Sequence, residues 1–211
     1  MKISIAEGLY LIALDDEEGR LLSAAEKSVI PGLMSAAVLE LHLLKKISLK
    51  GDVISSVDDP SGTGNGILDK ILHKVKGGVG IVDMVEDLSH HFKDIMEDLN
   101  ELLSQRGILR KEATKLMWIP LSERMDNANY AFEQEIRNSL KAIVFKNAKP
   151  TPSFVVLMSL IFDCHILDEV FKDSDELIDA VKVAKDIVSS PVISDDLSQT
   201  LKTLRAYFEA R

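Results

Sequence analysis

Cysteine is almost missing from this 211-residue chain: Cys164 stands alone. A disulfide framework is therefore excluded, and one unpaired thiol fits a reducing, cytoplasmic setting. Its place inside the apolar run Phe154–Leu167 reads as a small core residue rather than a reactive nucleophile. Long hydrophobic runs are missing too. The longest, Phe154–Phe162, is interrupted by Ser159 and falls well short of the ~20 apolar residues a membrane-spanning helix needs. Positive charge is scarce: 25 Lys and Arg stand against 34 Asp and Glu, a net charge of −9 that argues against general nucleic-acid binding. Catalytic signatures are also lacking. There is no G-x-S-x-G elbow, no H-E-x-x-H pair, and no Gly-Lys-Ser/Thr in the glycine-rich segment DDPSGTGNG at 58–66, which reads as turn and cap. An enzyme is not expected, and neither is a cofactor.

What is present is apolar periodicity. The stretch PGLMSAAVLELHLLKKISLKGDVISSV, 31–57, organises the rest. Pro31 suits a first helical turn, and Leu33, Ala36, Ala37, Leu41 and Leu44 recur at helical spacing. Met34, Val38 and Leu39 widen that face almost all the way round, the pattern of a buried helix. Lys45 and Lys46 are read as its last turn, where positive charge suits the dipole. The period then drops to two around Lys50-Gly51-Asp52, giving a hairpin over 47–57.

The opening MKISIAEGLYLIALDDEEGR has one early Lys, but Glu7 breaks its apolar stretch and four acids follow, so it reads as a helix capped by Ser4 and not as a leader. Asp15–Gly19 is the turn that ends it. Further helices are expected from Ile67 to Gly77, over 81–106 with a break near Ser89 and a cap at Gly107, and at about 127–147, 152–163, 174–189 and 194–210. A second hairpin is expected over 110–126, its return strand carrying Trp118. The whole, 1–211, is read as a single, mainly α domain with two short β-hairpins, the second projecting.

Charge is uneven. Residues 104–149 hold 9 Lys/Arg against 5 Asp/Glu, a basic segment in an acidic chain that suits an anionic partner. Two pairs have one-turn spacing for a metal, His90 with Asp94 and His165 with Asp168, but neither has a third ligand, and no metal site is assigned. The order helix, Gly, strand, turn, strand over 92–121 also suggests a winged-helix DNA-binding regulator. The helix before the wing carries Asp94, Glu97, Asp98 and Glu101 against Lys93, a face that repels phosphate.

Five stretches in order carry a family resemblance: LIALDDEEGRLL (11–22, after an apolar helix), GLMSAAVLELHLLKKISL (32–49), DDPSGTGNGILDKILHKVK (58–76), LNELLSQRGIL (99–109) and FVVLMSLIFDCHILDEVF (154–171). Together they resemble the Golgi phosphoprotein 3 family, from about Ile5 to Tyr207, in a form without the long N-terminal extension of eukaryotic members. The resemblance implies a helical peripheral membrane protein that binds phosphatidylinositol 4-phosphate and tethers the tails of glycosyltransferases. The family's headgroup residues, a Trp and three basic side chains, fall on Ala25, Met34, Lys93 and Met96. Only Lys93 keeps the family chemistry, so the phosphoinositide pocket is expected to be largely degraded and headgroup selectivity lost. The hairpin at 110–126, with Met117, Trp118, Ile119 and Leu121, is implied as an oligomer or membrane contact. Partners are then an anionic membrane surface or a partner protein's tail, and the place is cytoplasmic, peripheral on the membrane face.

Overall fold

Helix α2 (Val29–Leu43) lies at the centre because almost nothing on it asks for water: eleven of its residues are buried, Met34 and Ser35 among them. In this computed structural model, which describes residues 3–15, 20–116, 119–127 and 130–211 (backbone alone over 111–116 and 119–127), the other elements pack around that helix. Helix α1 (Ile5–Ala13) begins with a reciprocal cap, in which Ser4 Oγ accepts the Glu7 N–H and the Glu7 carboxylate accepts the Ser4 N–H. Two of the four orphan donors of the first turn are satisfied in this way. The turn expected over Asp15–Gly19 lies mostly outside the described residues.

The hairpin after α2 is seen as β1 (Ile47–Lys50) and β2 (Val53–Val57), antiparallel with Ile47 opposite Val57 and a bulge between Ser48 and Leu49. It is not a simple hairpin. The segment Val79–Gly80 (β3) adds to β2, pairing Val53 with Gly80 and Ile54 with Val79, so the sheet has three strands. Helix α3 (Gly66–Leu72) accordingly stops earlier than Gly77-Gly78. Those glycines instead turn the chain into β3, Gly78 with a left-handed φ of 78° and its N–H donated to the Ile54 carbonyl.

Next come α4 (Ile81–His91) and α5 (Ile95–Gln105), with the break at Phe92–Asp94 rather than at Ser89. The second hairpin pairs β4 (Leu109–Leu116) with β5 (Ile119–Asn127). It pairs mainly with itself, and α5 is its chief neighbour in the helical body. The last elements are α6 (Tyr130–Val144), α7 (Pro152–Asp163), the single turn α8 (Leu167–Val170), α9 (Ser174–Asp186) with a 3-10 turn at Ile187–Ser189, and α10 (Asp195–Glu209). Helices α1, α3, α4 and α7 surround α2, while α10 covers α4, α7 and β1. The tip of the first hairpin is fastened to α10: the Gly51 N–H donates to Asp196 Oδ1 at 2.6 Å, and Thr200 Oγ1 donates to the Gly51 carbonyl at 2.5 Å.

Four helices end in the same double hydrogen bond, with a left-handed residue just past the cap. Gly107 ends α5 as the sequence implies, but Lys45, Lys146 and His165 do the same for α2, α6 and α7 without being glycine. Lys45 and Lys46 therefore lie beyond α2, not in its last turn. Lys46 reaches forward to Asp59 at 2.6 Å instead of facing the helix dipole. Among the described residues no helix is long and apolar enough to cross a membrane.

Candidate functional site

A concavity of about 460 Å³ opens where the start of α1, the end of α2, the loop before α3 and the end of α5 converge. Its floor is Glu7, 1% exposed. One Glu7 oxygen, Oε2, accepts from the Ser4 N–H at 3.1 Å and from Arg106 Nη1 at 2.6 Å. The other, Oε1, accepts from Asn65 Nδ2 at 3.3 Å. Arg106 gets there because it is the cap residue of α5, and Gly107 then bends the backbone away. Asn65 is held by its own capping role, with Oδ1 taking the Ile67 and Leu68 N–H groups at the start of α3. Thr63 in the same loop is tied to Asp69 Oδ1 through both its N–H and its hydroxyl. The glycine-rich segment is thus a network of turns and caps, as its spacing implies.

Glu40 forms the opposite wall. Its Oε2 accepts the Ile5 N–H at 2.8 Å, so it caps α1 from a different helix. Burial pushes its carboxyl up from an ordinary 4.5 to about 7; the Ile5 N–H opposes this, and the charge of Glu7 adds to it. Ile3, Leu44, Leu68 and Leu102 supply apolar walls, and among the described residues no histidine or cysteine lines the cleft. The sequence reading missed this cleft. The only local signals for it are Ser4-x-x-Glu7, a capping-box pattern, and Glu40, the lone acid on an otherwise apolar helix.

The four positions taken from the family resemblance have different surroundings. Ala25 and Met34 are completely buried, Met96 is half-buried in the first turn of α5, and Lys93 is exposed between α4 and α5. None of them lines the cleft at Glu7. A smaller concavity of about 370 Å³ lies beside Ala25, lined by Leu21, Leu22 and Ala24 and by the acids Asp15, Asp168 and Glu169, with no Lys or Arg among the described residues. Met117 and Trp118 lie outside the described residues. Ile119 and Leu121 fall in β5, where the backbone alone is described.

The basic segment is partly consumed by internal bonds. Arg106 holds Glu7, Arg137 holds the buried Glu133 through Nε at 2.7 Å, and Lys141 holds Glu176 at 2.7 Å. Arg110, Lys146 and Lys149 are exposed.

The metal candidates take other roles. His91, not His90, bonds Asp87, and Asp94 falls beyond the end of α4, off the face that holds His90. His165 is the left-handed residue after α7. Among the described residues no group of three or more His, Cys, Asp or Glu is placed to hold a metal ion. Cys164 is buried, and burial pushes its thiol up to about 12, well away from a reactive thiolate. On α5, Glu97 and Glu101 are exposed and Asp98 bonds Lys70, so the helix before the second hairpin presents acid.

The family model described as Golgi phosphoprotein 3 (GPP34) covers residues 5–204. No curated protein matches the chain.

Proposed function

We propose, since this chain belongs to the Golgi phosphoprotein 3 family, that it is a non-enzymatic adaptor working on an anionic membrane surface or on a partner protein's tail, without selecting a phosphoinositide headgroup. The observation that carries this reading is the chemistry around Ala25. A phosphorylated headgroup needs several cations converging with donors. Here Ala25 and Met34 are buried and apolar, and the adjoining concavity is edged by Asp15, Asp168 and Glu169. Lys93 offers a single exposed charge, and one surface cation contributes about 1 kcal/mol towards an anionic lipid surface.

Attraction to the membrane is then carried by the exposed cations Arg110, Lys146 and Lys149. It depends on total surface charge and is screened by salt. The membrane-facing or oligomer-forming element in this reading is the second hairpin, with Met117, Trp118, Ile119 and Leu121. Its residence is cytoplasmic and peripheral. DNA binding is not favoured, because α5 presents Glu97 and Glu101.

Co-sedimentation of the whole chain with three kinds of vesicle tests this. The expected outcome is weak, salt-sensitive binding to phosphatidylserine vesicles and equal binding to phosphatidylinositol 4-phosphate vesicles of matched charge, both above neutral phosphatidylcholine. Negligible binding to all three removes the membrane role. A tenfold preference for the phosphoinositide removes the claim of lost selectivity.

A further inference from the structure

Six large apolar side chains are exposed among the described residues: Leu44, Val53, Tyr130, Phe145, Ile178 and Val192. Five of them have an acid within four residues along the chain, as Ile178 has Asp175, Glu176 and Asp179. Phe145 has none, and has Lys141, Lys146 and Lys149 instead. No Asp or Glu falls between Glu135 and Asp163. The fold then sorts the cations of this acid-free stretch. Arg137 and Lys141 turn to Glu133 and Glu176, whereas Lys146 and Lys149 are exposed and make no ion pair with a described residue. The corner that carries them has an ordered backbone. Lys146 takes a left-handed φ of 59°, and the Ala142 carbonyl accepts the Asn147 N–H at 2.8 Å and the Ala148 N–H at 3.0 Å. From Phe145 to Thr151 every residue but Pro150 is exposed. Helix α7, which follows, has no acid in its first turn, where the helix dipole is positive.

We propose that the α6–α7 corner, 145–149, docks on an anionic lipid bilayer, with the Phe145 ring at the boundary between headgroups and acyl chains and Lys146 and Lys149 against lipid phosphates. Resting on the membrane reading above, the corner supplies a face that meets the lipid, in addition to the second hairpin. Charge complementarity selects the occupant. Two free ammonium groups act as point charges, without the fork that would pick out one phosphate ester, so they suit a field of anionic headgroups. An exposed aromatic ring beside them gains from an apolar layer lying just beneath that charge. A bilayer offers both together, whereas an acidic protein tail offers the charge alone. Attraction by the lysines is screened by salt, and the part contributed by the ring is not.

Co-sedimentation of the whole chain with phosphatidylserine and phosphatidylcholine vesicles is the test. Lys146→Gln with Lys149→Gln should lower partitioning onto phosphatidylserine roughly tenfold. A charge-matched control at exposed positions elsewhere, Lys185→Gln with Lys202→Gln, should lower it much less. Phe145→Ser should lower it roughly threefold, a loss that persists in high salt. Depth is read by Phe145→Trp in a Trp118→Phe background, since Trp118 is the chain's single tryptophan. Its emission should shift to the blue on phosphatidylserine vesicles and be quenched by brominated acyl chains. If the unaltered chain binds phosphatidylserine and the corner variants bind as tightly, or the control pair loses as much, the corner is overturned while the membrane reading stands. If the unaltered chain binds no vesicle, both fall. Loss of self-association in Phe145→Ser, read by sedimentation equilibrium with vesicle binding intact, makes the corner a contact between copies and also overturns the proposal. Should Phe145→Ser fail to fold, the exposed lysine pair against its control decides alone.

Discussion

Gly32 and Cys164 meet so closely that a Cβ added to the glycine would lie 2.6 Å from the cysteine sulfur. That contact sets how near the central helix α2 comes to the end of α7, in the middle of the core. It also gives the lone cysteine a physical role: a compact, apolar atom filling the space against a bare backbone. Gly32→Ala should cost about 1–3 kcal/mol, the usual range for overpacking a well-filled site. Adding Cys164→Ala should return more than half of that loss by removing the clashing sulfur, read as a shift of the urea midpoint at constant m-value. If the double variant is no better than the sum of the singles, the helix spacing is not governed by this pair.

The three non-glycine helix ends store a smaller cost. Lys45, Lys146 and His165 sit at φ of 59°, 59° and 61°, where a Cβ is crowded and glycine is not. Lys45→Gly, Lys146→Gly and His165→Gly should each stabilise the fold by roughly 0.5 kcal/mol, the relief of strain exceeding the extra freedom glycine has in the unfolded chain. Thermal unfolding of the triple variant should show a clear rise in midpoint. A fall would mean that these side chains make contributions larger than the strain.

The same residues show what the sequence makes legible. Periodicity and local signals place α1, α2 and α7 closely, because apolar spacing, the Ser4 cap and Pro31 act within a turn or two of chain. Gly107 announces its helix end for the same reason. Lys45, Lys146 and His165 do not, since a left-handed φ at a residue with a Cβ leaves no mark in the sequence. β3 was missed because two residues have no detectable period, and α8 because one turn has none. The cleft was missed for a different reason. Glu7, Asn65 and Arg106 are separated by long stretches of chain, and their pairing is a product of packing that spacing cannot report.

Glu40 should make stability depend on pH in an unusual direction. Its carboxyl is raised from 4.5 to about 7, chiefly by burial, so the folded chain holds that proton more tightly than the unfolded chain. The stabilisation is complete below about pH 4.5 and is lost as pH rises through 7. Glu40→Gln cannot ionise. Relative to this variant, the unaltered chain should lose about 2–3 kcal/mol between pH 4.5 and pH 8.5. Paired urea titrations across that window check it. Parallel curves for the two proteins would show that the Glu40 carboxyl is not perturbed.

Arg205 ties three helices through one guanidinium. Its Nε donates to Asp163 Oδ1 at 2.9 Å, Nη1 to the Lys185 carbonyl at 3.0 Å, and Nη2 to the Ala184 carbonyl at 2.8 Å. The plane also covers the Phe162 ring at 4.9 Å. Asp163 is almost entirely buried, so Arg205→Met should leave an uncompensated acid in the core at a cost of about 3–5 kcal/mol. Arg205→Lys should recover little, because an ammonium offers no planar fork to reach a carboxylate and two carbonyls together. Asp163→Asn in the Met background removes the stranded charge and should recover a substantial part of the loss. A chemical-denaturation cycle over these variants separates the two contributions. If Asp163→Asn gives no recovery, the cost lies in the unpaired carbonyls of Ala184 and Lys185, and the clasp between α9 and α10 matters more than the ion pair.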